Sequence, residues 1–226
     1  METHVKSLCE RPSVNTSPRQ RNQRGQGARL REELIEAASG LLAEWGDLEQ
    51  VSIRAVASAA GVTPPSIYLH FADRKSLLRA VVATRFGDFG RQLSGAEAAG
   101  KDPYDALRRR CRAYFAFGRE HPGHYRVLFS AAALGPKGIG TYGKTDHPGA
   151  SSFIALVDAV QRCLDAGARP GGGRDSFFLA IQLWAWMHGL IDLRISKPEM
   201  PWPAVVALLD ATLSDLGLDD SEKSDS

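Results

Sequence analysis

Residues 52–75 read SIRAVASAAGVTPPSIYLHFADRK, and this stretch decides the fold. Ile53, Val56, Ala57 and Ala60 recur at three- and four-residue steps, the spacing of one helix face. Gly61 follows, where a helix end wants a residue that tolerates a left-handed backbone. Thr63 stands at the N-cap of a second helix, and Pro64 at the position where a missing N–H costs nothing. That helix is short, Pro64 to His70, and Phe71 closes it. Asp73 then opens a third, long helix with an acidic first turn. Two helices joined by a tight glycine turn predict a helix-turn-helix, whose second helix can enter the DNA major groove. On that second helix Ser66, Tyr68 and His70 are polar or amphipathic, so it is expected to face outward.

One helix upstream completes the unit. From Arg29 to Trp45, Leu30, Leu34, Ala38, Leu41 and Trp45 form one stripe, and Gly46 ends the helix. The expected core of this three-helix unit is Leu34, Leu41, Ile53, Val56, Ile67 and Phe71. Residues 1–27 have no apolar periodicity and are rich in Ser, Pro, Arg, Gln and Gly, which predicts a flexible basic arm. The reading head is then 28–75, a larger helical domain 76–217, and an acidic tail 218–226. Basic start and acidic end suit an arm near phosphates and a solvated tail.

Downstream, the pattern stays helical. The fourth helix is expected from Asp73 to about Leu93, followed by a loop from Gly95 to Asp102. Asp102-Pro103 opens a helix whose Leu107, Cys111, Tyr114, Phe115 and Gly118 share a face. A short helix carries Tyr125, Leu128 and Phe129, and 135–149 is a glycine-rich loop. Ser151 or Ser152 is expected to cap the next helix. Asp175 opens the most apolar one, and Pro201 and Pro203 start the last. No strand alternation appears, so the fold class is all-α: an N-terminal three-helix helix-turn-helix domain plus a larger helical domain, expected to serve dimerisation from its apolar pattern and ligand binding from the family resemblance of the chain. The last two helices are apolar on more than one side, which predicts a dimer interface, with Leu209 among its residues.

Composition sets outer bounds. The chain has 226 residues, 43% hydrophobic and 24% charged, as a globular protein would, and a net charge of only +2. Cys9, Cys111 and Cys163 are too few and scattered for a disulfide framework or zinc site, which suits a reducing cytoplasm. The N-terminus has no apolar leader, and the apolar run from Ser176 to Ile191 is short for a span and contains Gln182 and His188. A cytoplasmic location and no membrane role are therefore expected. His121 and His124 lack a third ligand at useful spacing, so no metal and no cofactor are expected. No catalytic triad, phosphate-binding glycine loop or paired-carboxylate motif is present, which points away from an enzyme.

RLREELIEAASGLLAEWG, VSIRAVASAAGV and TPPSIYLHFADRKSLL together resemble the DNA-binding domain of the TetR family of bacterial transcription regulators, over roughly 29–85. Two successive prolines, Pro64 and Pro65, depart mildly from the family pattern. HPGHYRVLF and LWAWMHGL look like a TetR subgroup with a Trp-x-His-Gly motif in its ligand domain. The resemblance implies a double-stranded DNA operator as partner, a homodimer, and a repressor released by a small apolar or aromatic effector. An activator or ligand-independent regulator is the alternative within that class. From another class comes a helical ligand- or metal-binding enzyme with an idle helix-turn-helix.

The residues then divide by role. Arg24 and Arg29 are the arm residues nearest the head, suited to neutralising phosphates. Ser52 can cap its helix and donate to a phosphate. Arg54 stands where the family can reach a base, and its guanidinium suits guanine O6 and N7. Thr63, Pro64 and Ser66 occupy the entry to the recognition helix, where Pro64 offers only apolar contact. Tyr68 and His70 resemble the family's phosphate-contacting pair. Lys75 belongs in the first turn of the fourth helix, beside its amides. Phe115, Tyr125, Phe129, Trp184, Met187 and His188 are the candidate effector-pocket residues, though each taken singly suits ordinary core packing better. The long helix from Asp73 is the lever that could join the pocket to the head.

Overall fold

The computed structural model describes residues 27–129 and 149–219, and these are helical with no strand among them. The arm with Arg24, most of the tail and nearly all of the 135–149 loop lie outside the described residues. α1 spans Gly27–Trp45, α2 Ile53–Ala59, α3 Pro64–Tyr68 and α4 Arg74–Ala98. α5 follows at Pro103–Glu120, α6 at Pro122–Phe129 and α7 at Ala150–Asp165. α8 is Ser176–Ser196 and α9 Val205–Asp215.

Local chemistry sets most of the boundaries. Ser52 caps α2 by accepting from the Ala55 N–H at 3.2 Å. Gly61, at φ +64°, ends α2 with two bonds back into it: Gly61 N–H to the Ser58 carbonyl, and Val62 N–H to the Ala57 carbonyl. Asp73 and Ser76 form a reciprocal capping box on α4. Asp102 and Asp175 cap α5 and α8 in the same single-bond manner as Ser52. Several expected boundaries move: α1 begins at Gly27 and not Arg29, and α3 ends at Tyr68 and not His70. α4 runs to Ala98, because Ala96, Glu97 and Ala98 favour helix and outweigh about 1 kcal/mol lost to Gly95. α7 begins at Ala150 with Gly149 at its N-cap, so Ser151 and Ser152 lie inside the helix. α9 starts at Val205, two residues beyond Pro203.

In the head, Leu34, Ala38 and Leu42 of α1 meet Val56, Ala57, Ile67 and Phe71, all buried. The α1 seam passes through Leu42; Leu41 is only half-buried and Trp45 is exposed. The reason is α6, which packs on α1 and draws its buried face round. Arg74 braces the head by donating to the Val51 carbonyl at 2.7 Å and to the Leu48 carbonyl. In the larger domain α5 is central, packing against α4, α6, α7, α8 and α9. Buried Arg110 of α5 ties three helices: it pairs with Glu97 of α4 at 2.7 Å and donates to the Ser152 carbonyl of α7 at 2.7 Å. Glu97 also pairs with Arg162. Glu97 thus serves two arginines, and the buried one, Arg110, has both a carboxylate and a carbonyl, the condition under which burying a charge is tolerable.

Candidate nucleic-acid interface and aromatic interior

In the head the start of α1 lies by His70, just past α3, α3 packs on α2, and the start of α4 is bonded to the residue before the α2 cap. Ser52 and Arg54 are exposed at the start of α2. Arg29 is exposed near the start of α1 and pairs with Glu33 at 3.0 Å, an i,i+4 surface pair of small energetic worth. A Cβ on Gly27 would lie 3.9 Å from the His70 ring, so the base of the arm sits beside the end of α3. Lys75 is exposed in the first turn of α4.

α3 itself has an unusual start. Thr63 occupies the N-cap position without making a side-chain cap bond. The first two helical residues are prolines without N–H, and the Ser66 N–H is bonded to the Thr63 carbonyl at 2.9 Å. The Thr63 hydroxyl instead meets the Ser66 hydroxyl at 3.0 Å. Ile67 points into the core, so Pro65, Tyr68 and Leu69 are exposed and, with half-buried Pro64, form two i,i+4 rows. Tyr68 is 56% and Leu69 83% exposed. Sequence reasoning passed over Leu69; its signal was a large apolar residue on a helix with its core position already filled by Ile67.

Inside the larger domain, four of the six expected pocket residues come together. Phe129 and His188 stack edge-to-face at 4.4 Å, Tyr125 and Phe129 lie 4.8 Å apart, and Trp184 and His188 5.1 Å. The Tyr125 hydroxyl and His188 Nδ1 are hydrogen-bonded. Tyr114, placed on the α5 face but not among the expected pocket residues, joins them through Tyr125, Phe129 and His188. Phe115 does not join: its ring packs edge-to-face on Trp186 at 5.5 Å. Met187 is fully buried in the core. Burial among these rings pushes the His188 imidazole down to about 4, partly opposed by Asp192. Its ring is therefore neutral at pH 7, and the cluster offers aromatic faces with uncharged polar tips. His121 and His124 have ring centroids 5.9 Å apart, yet His124 turns to Ser39. Among the described residues no group of three metal-ligating side chains gathers.

α6 joins the two regions. On one side it contributes Tyr125 and Phe129 to the cluster. On the other, His124 Nε2 lies 3.0 Å from the Ser39 hydroxyl of α1. Gly123 packs so closely that a Cβ there would stand 2.1 Å from the Ala43 carbonyl oxygen. Phe129 also meets Phe86 and Phe89 of α4, at 5.6 and 5.7 Å. Sequence reasoning named α4 as the lever; α6 touches both α4 and α1.

Residues 34–81 match the family model described as bacterial regulatory proteins, tetR family. Residues 107–216 match the one described as tetracyclin repressor-like, C-terminal domain. A helix-turn-helix-type transcriptional regulator of Mycobacterium tuberculosis, itself uncharacterised, is 28% identical over 166 residues, covering 74% of this chain and 70% of its own. A TetR family transcription regulator from Marinobacter aquaeolei VT8 superimposes with a TM-score of 0.63 at 19% identity, over 87% of this chain and 97% of its own. The transcriptional regulator FadR of Bacillus subtilis, in complex with stearoyl-CoA, has a TM-score of 0.62 at 15% identity, over 82% and 96%. At those identities the two structures speak to the fold alone.

Proposed function

Because the chain belongs to the TetR family of DNA-binding transcriptional regulators, we propose that it acts in the cytoplasm as a homodimeric repressor that a small effector releases from its operator. Its role is regulation, not catalysis. The exposed face of α3, with Arg54, Tyr68, His70 and Lys75 around it, meets the major groove and its flanking phosphates. The exposed apolar stripe of α8 pairs with its copy in a second protomer, setting two recognition helices at the spacing of successive grooves, about 34–36 Å. α9 contributes its outward side, with Val206; Leu209 and Leu213 face inward.

The observation that carries the effector reading is the position of α6. One short helix holds two rings of the aromatic cluster and, half a turn away, the closest approach to α1. A ligand seated among Tyr114, Tyr125, Phe129, Trp184 and His188 must move Tyr125 or Phe129, and thereby α6 against α1 and α4. A tenfold loss of operator affinity needs only about 1.4 kcal/mol of difference in ligand affinity between the two conformations. The FadR neighbour holds stearoyl-CoA. Here the neutral His188 and the ring faces favour a planar, uncharged, mostly apolar compound.

The test begins with a gel shift on the DNA upstream of the protein's own gene. Planar apolar probes, with stearoyl-CoA as the contrasting ligand, are then titrated while tryptophan fluorescence and operator affinity are read together. Probes that quench fluorescence should release DNA, and Trp184→Phe should lose much of the quench while still binding DNA. Tight binding to the cluster with operator affinity unchanged would overturn the effector reading.

A further inference from the structure

The recognition segment lacks the side chains that usually discriminate purines. From Val62 to Phe71 it reads VTPPSIYLHF, without Arg, Lys, Asn or Gln, the residues that make paired bonds to guanine and adenine edges. The hydroxyls of Thr63 and Ser66 are turned to each other, and a hydroxyl donates or accepts and so selects weakly among bases. The first turn of α3 adds no backbone donor, because Pro64 and Pro65 have none and the Ser66 N–H is engaged. His70 sits toward the start of α1.

What remains outward is apolar. Pro65 and Leu69 form one row and Pro64 and Tyr68 the next. Leu69 takes no part in the core, and nothing in the head's fold calls for a large apolar side chain there. The patch shares its helix with the hydroxyls of Ser66 and Thr63, and Arg54 and Lys75 are exposed in the first turns of the neighbouring α2 and α4, which is the setting of a nucleic-acid face and not of a protein groove. In the major groove the apolar feature of a base pair is the C5 methyl of thymine.

Given the DNA-reading role above, on which this rests, we infer that α3 reads thymine by its methyl groups, with Pro65 and Leu69 as the specificity-determining contacts and Arg54 left to read guanine. Each operator half-site then carries thymines where α3 enters the groove. The discrimination is by desolvation of methyl groups, with no bidentate bond from α3 itself.

The experiment separates this inference from the DNA-reading role. Duplexes that bind the full-length protein are selected from a random pool. The best is then made twice, with dTTP and with dUTP, so that the two differ only in C5 methyls. A desolvated methyl group corresponds to about fourfold in affinity, so a dimer reading one on each half-site should bind the uracil duplex at least about tenfold more weakly. Uracil also alters DNA flexibility, so the decisive quantity is the thymine-to-uracil affinity ratio in the variants. Leu69→Ala, at a position that plays no part in the core, should shrink that ratio severalfold; Pro65→Ala provides the second variant. Equal binding to both duplexes, or a ratio that neither variant alters, would overturn thymine reading while leaving the DNA-binding role standing. Failure to enrich any duplex would overturn both.

Discussion

α3 and α8 both hold large apolar side chains in solvent, for different reasons. On α8 the exposed residues Phe178, Ile181, Ala185, Gly189 and Leu193 form a stripe along most of a 21-residue helix. Its opposite face, Leu179, Leu183, Met187 and Leu190, is equally apolar and buried. A helix that is apolar on both sides has one side for its own core and one for another chain. On α3 the apolar surface is about one turn long, bordered by hydroxyls and cations, and its inward side is the single residue Ile67. Exposure alone therefore does not identify a partner. Length of the stripe and the chemistry at its border do: about three turns without charge, from Phe178 to Gly189 and with Asp192 only at the far end, suit a second protomer, while one turn amid cations suits a groove lined with phosphates.

The strongest way to break this contrast is Ile181→Asp. Ile181 is exposed in the protomer, so the variant should keep its helical circular dichroism yet sediment as a monomer. Operator affinity should fall on the order of a hundredfold or more, because the two half-sites are no longer bound by one particle. A variant that remains dimeric removes α8 from the interface. Leu209→Asp, the substitution the sequence pattern suggests, does not test the interface, since Leu209 is wholly buried within the protomer and a carboxylate there would unfold it.

The next substitution cuts the link between the two regions. Gly123→Ala puts a methyl group against the Ala43 carbonyl, and helix backbones do not yield easily. The expected loss is about 1–3 kcal/mol, read as a fall of several degrees in the thermal midpoint. The surviving folded protein should respond less to an effector probe than the wild type, because α6 no longer seats on α1. An unchanged midpoint and unchanged probe response would show that α6 and α1 do not transmit anything through this contact.

The interior can be tested by pH. His188 falls to about 4 in the folded protein from an unfolded value near 6.5, so the unfolded chain binds more protons between those values. Stability is then full above about pH 6.5 and declines as pH falls toward 4. Between pH 7 and 5 the decline from this ring is about 2 kcal/mol. His188→Gln, which can still bond Tyr125 but does not titrate, should remove that part of the decline in denaturant titrations at the two pH values. His124, also lowered by burial, adds a slope of the same sign that the variant keeps.

These features were legible to unequal degrees. Ser52, Gly61, Asp73, Asp102 and Asp175 act within a few residues of themselves, so their caps and turns could be read directly from neighbours. So could the buried set Leu34, Val56, Ile67 and Phe71, because each helix face repeats at fixed steps. The choice of Leu42 over Leu41 could not, because it depends on where α6 arrives from more than 80 positions away. Arg110, Glu97 and Ser152 were hidden for the same reason: a buried arginine looks like half-buried Arg109 and exposed Arg112 beside it until its partners are in place. Thr63 was placed at the correct cap position, but the capping bond was not made, since Pro65 has no N–H and the Ser66 N–H goes to the Thr63 carbonyl instead of its hydroxyl. The aromatic cluster was legible as a set of residue types and not as a set of contacts, which is why Phe115 was included and Tyr114 left out.

The smallest expected effect sharpens the comparison within the head itself. Lys75 is exposed at the start of α4, two residues from the Asp73 cap. Asp73 is held below the usual carboxylate range, first by the Ser76 N–H and more weakly by Arg79 and Lys75, so it stays ionised and partly offsets the lysine charge. A phosphate beside Lys75 would therefore feel a single, partly balanced cation on a flexible stem, and its loss should weaken binding only severalfold at moderate salt. The form of the loss is more telling than its size. Lys75→Ala should weaken binding to every duplex alike and reduce the slope of log affinity against log salt by about one unit for each protomer's phosphate contact. Leu69→Ala should do the reverse: leave the salt slope as it is and weaken only those duplexes that carry thymine at the read positions. If Lys75→Ala changes neither slope nor affinity, its phosphate role is lost. If it changes affinity for some sequences and not others, the division of the head into a charged rim that positions and an apolar row that specifies has to be redrawn.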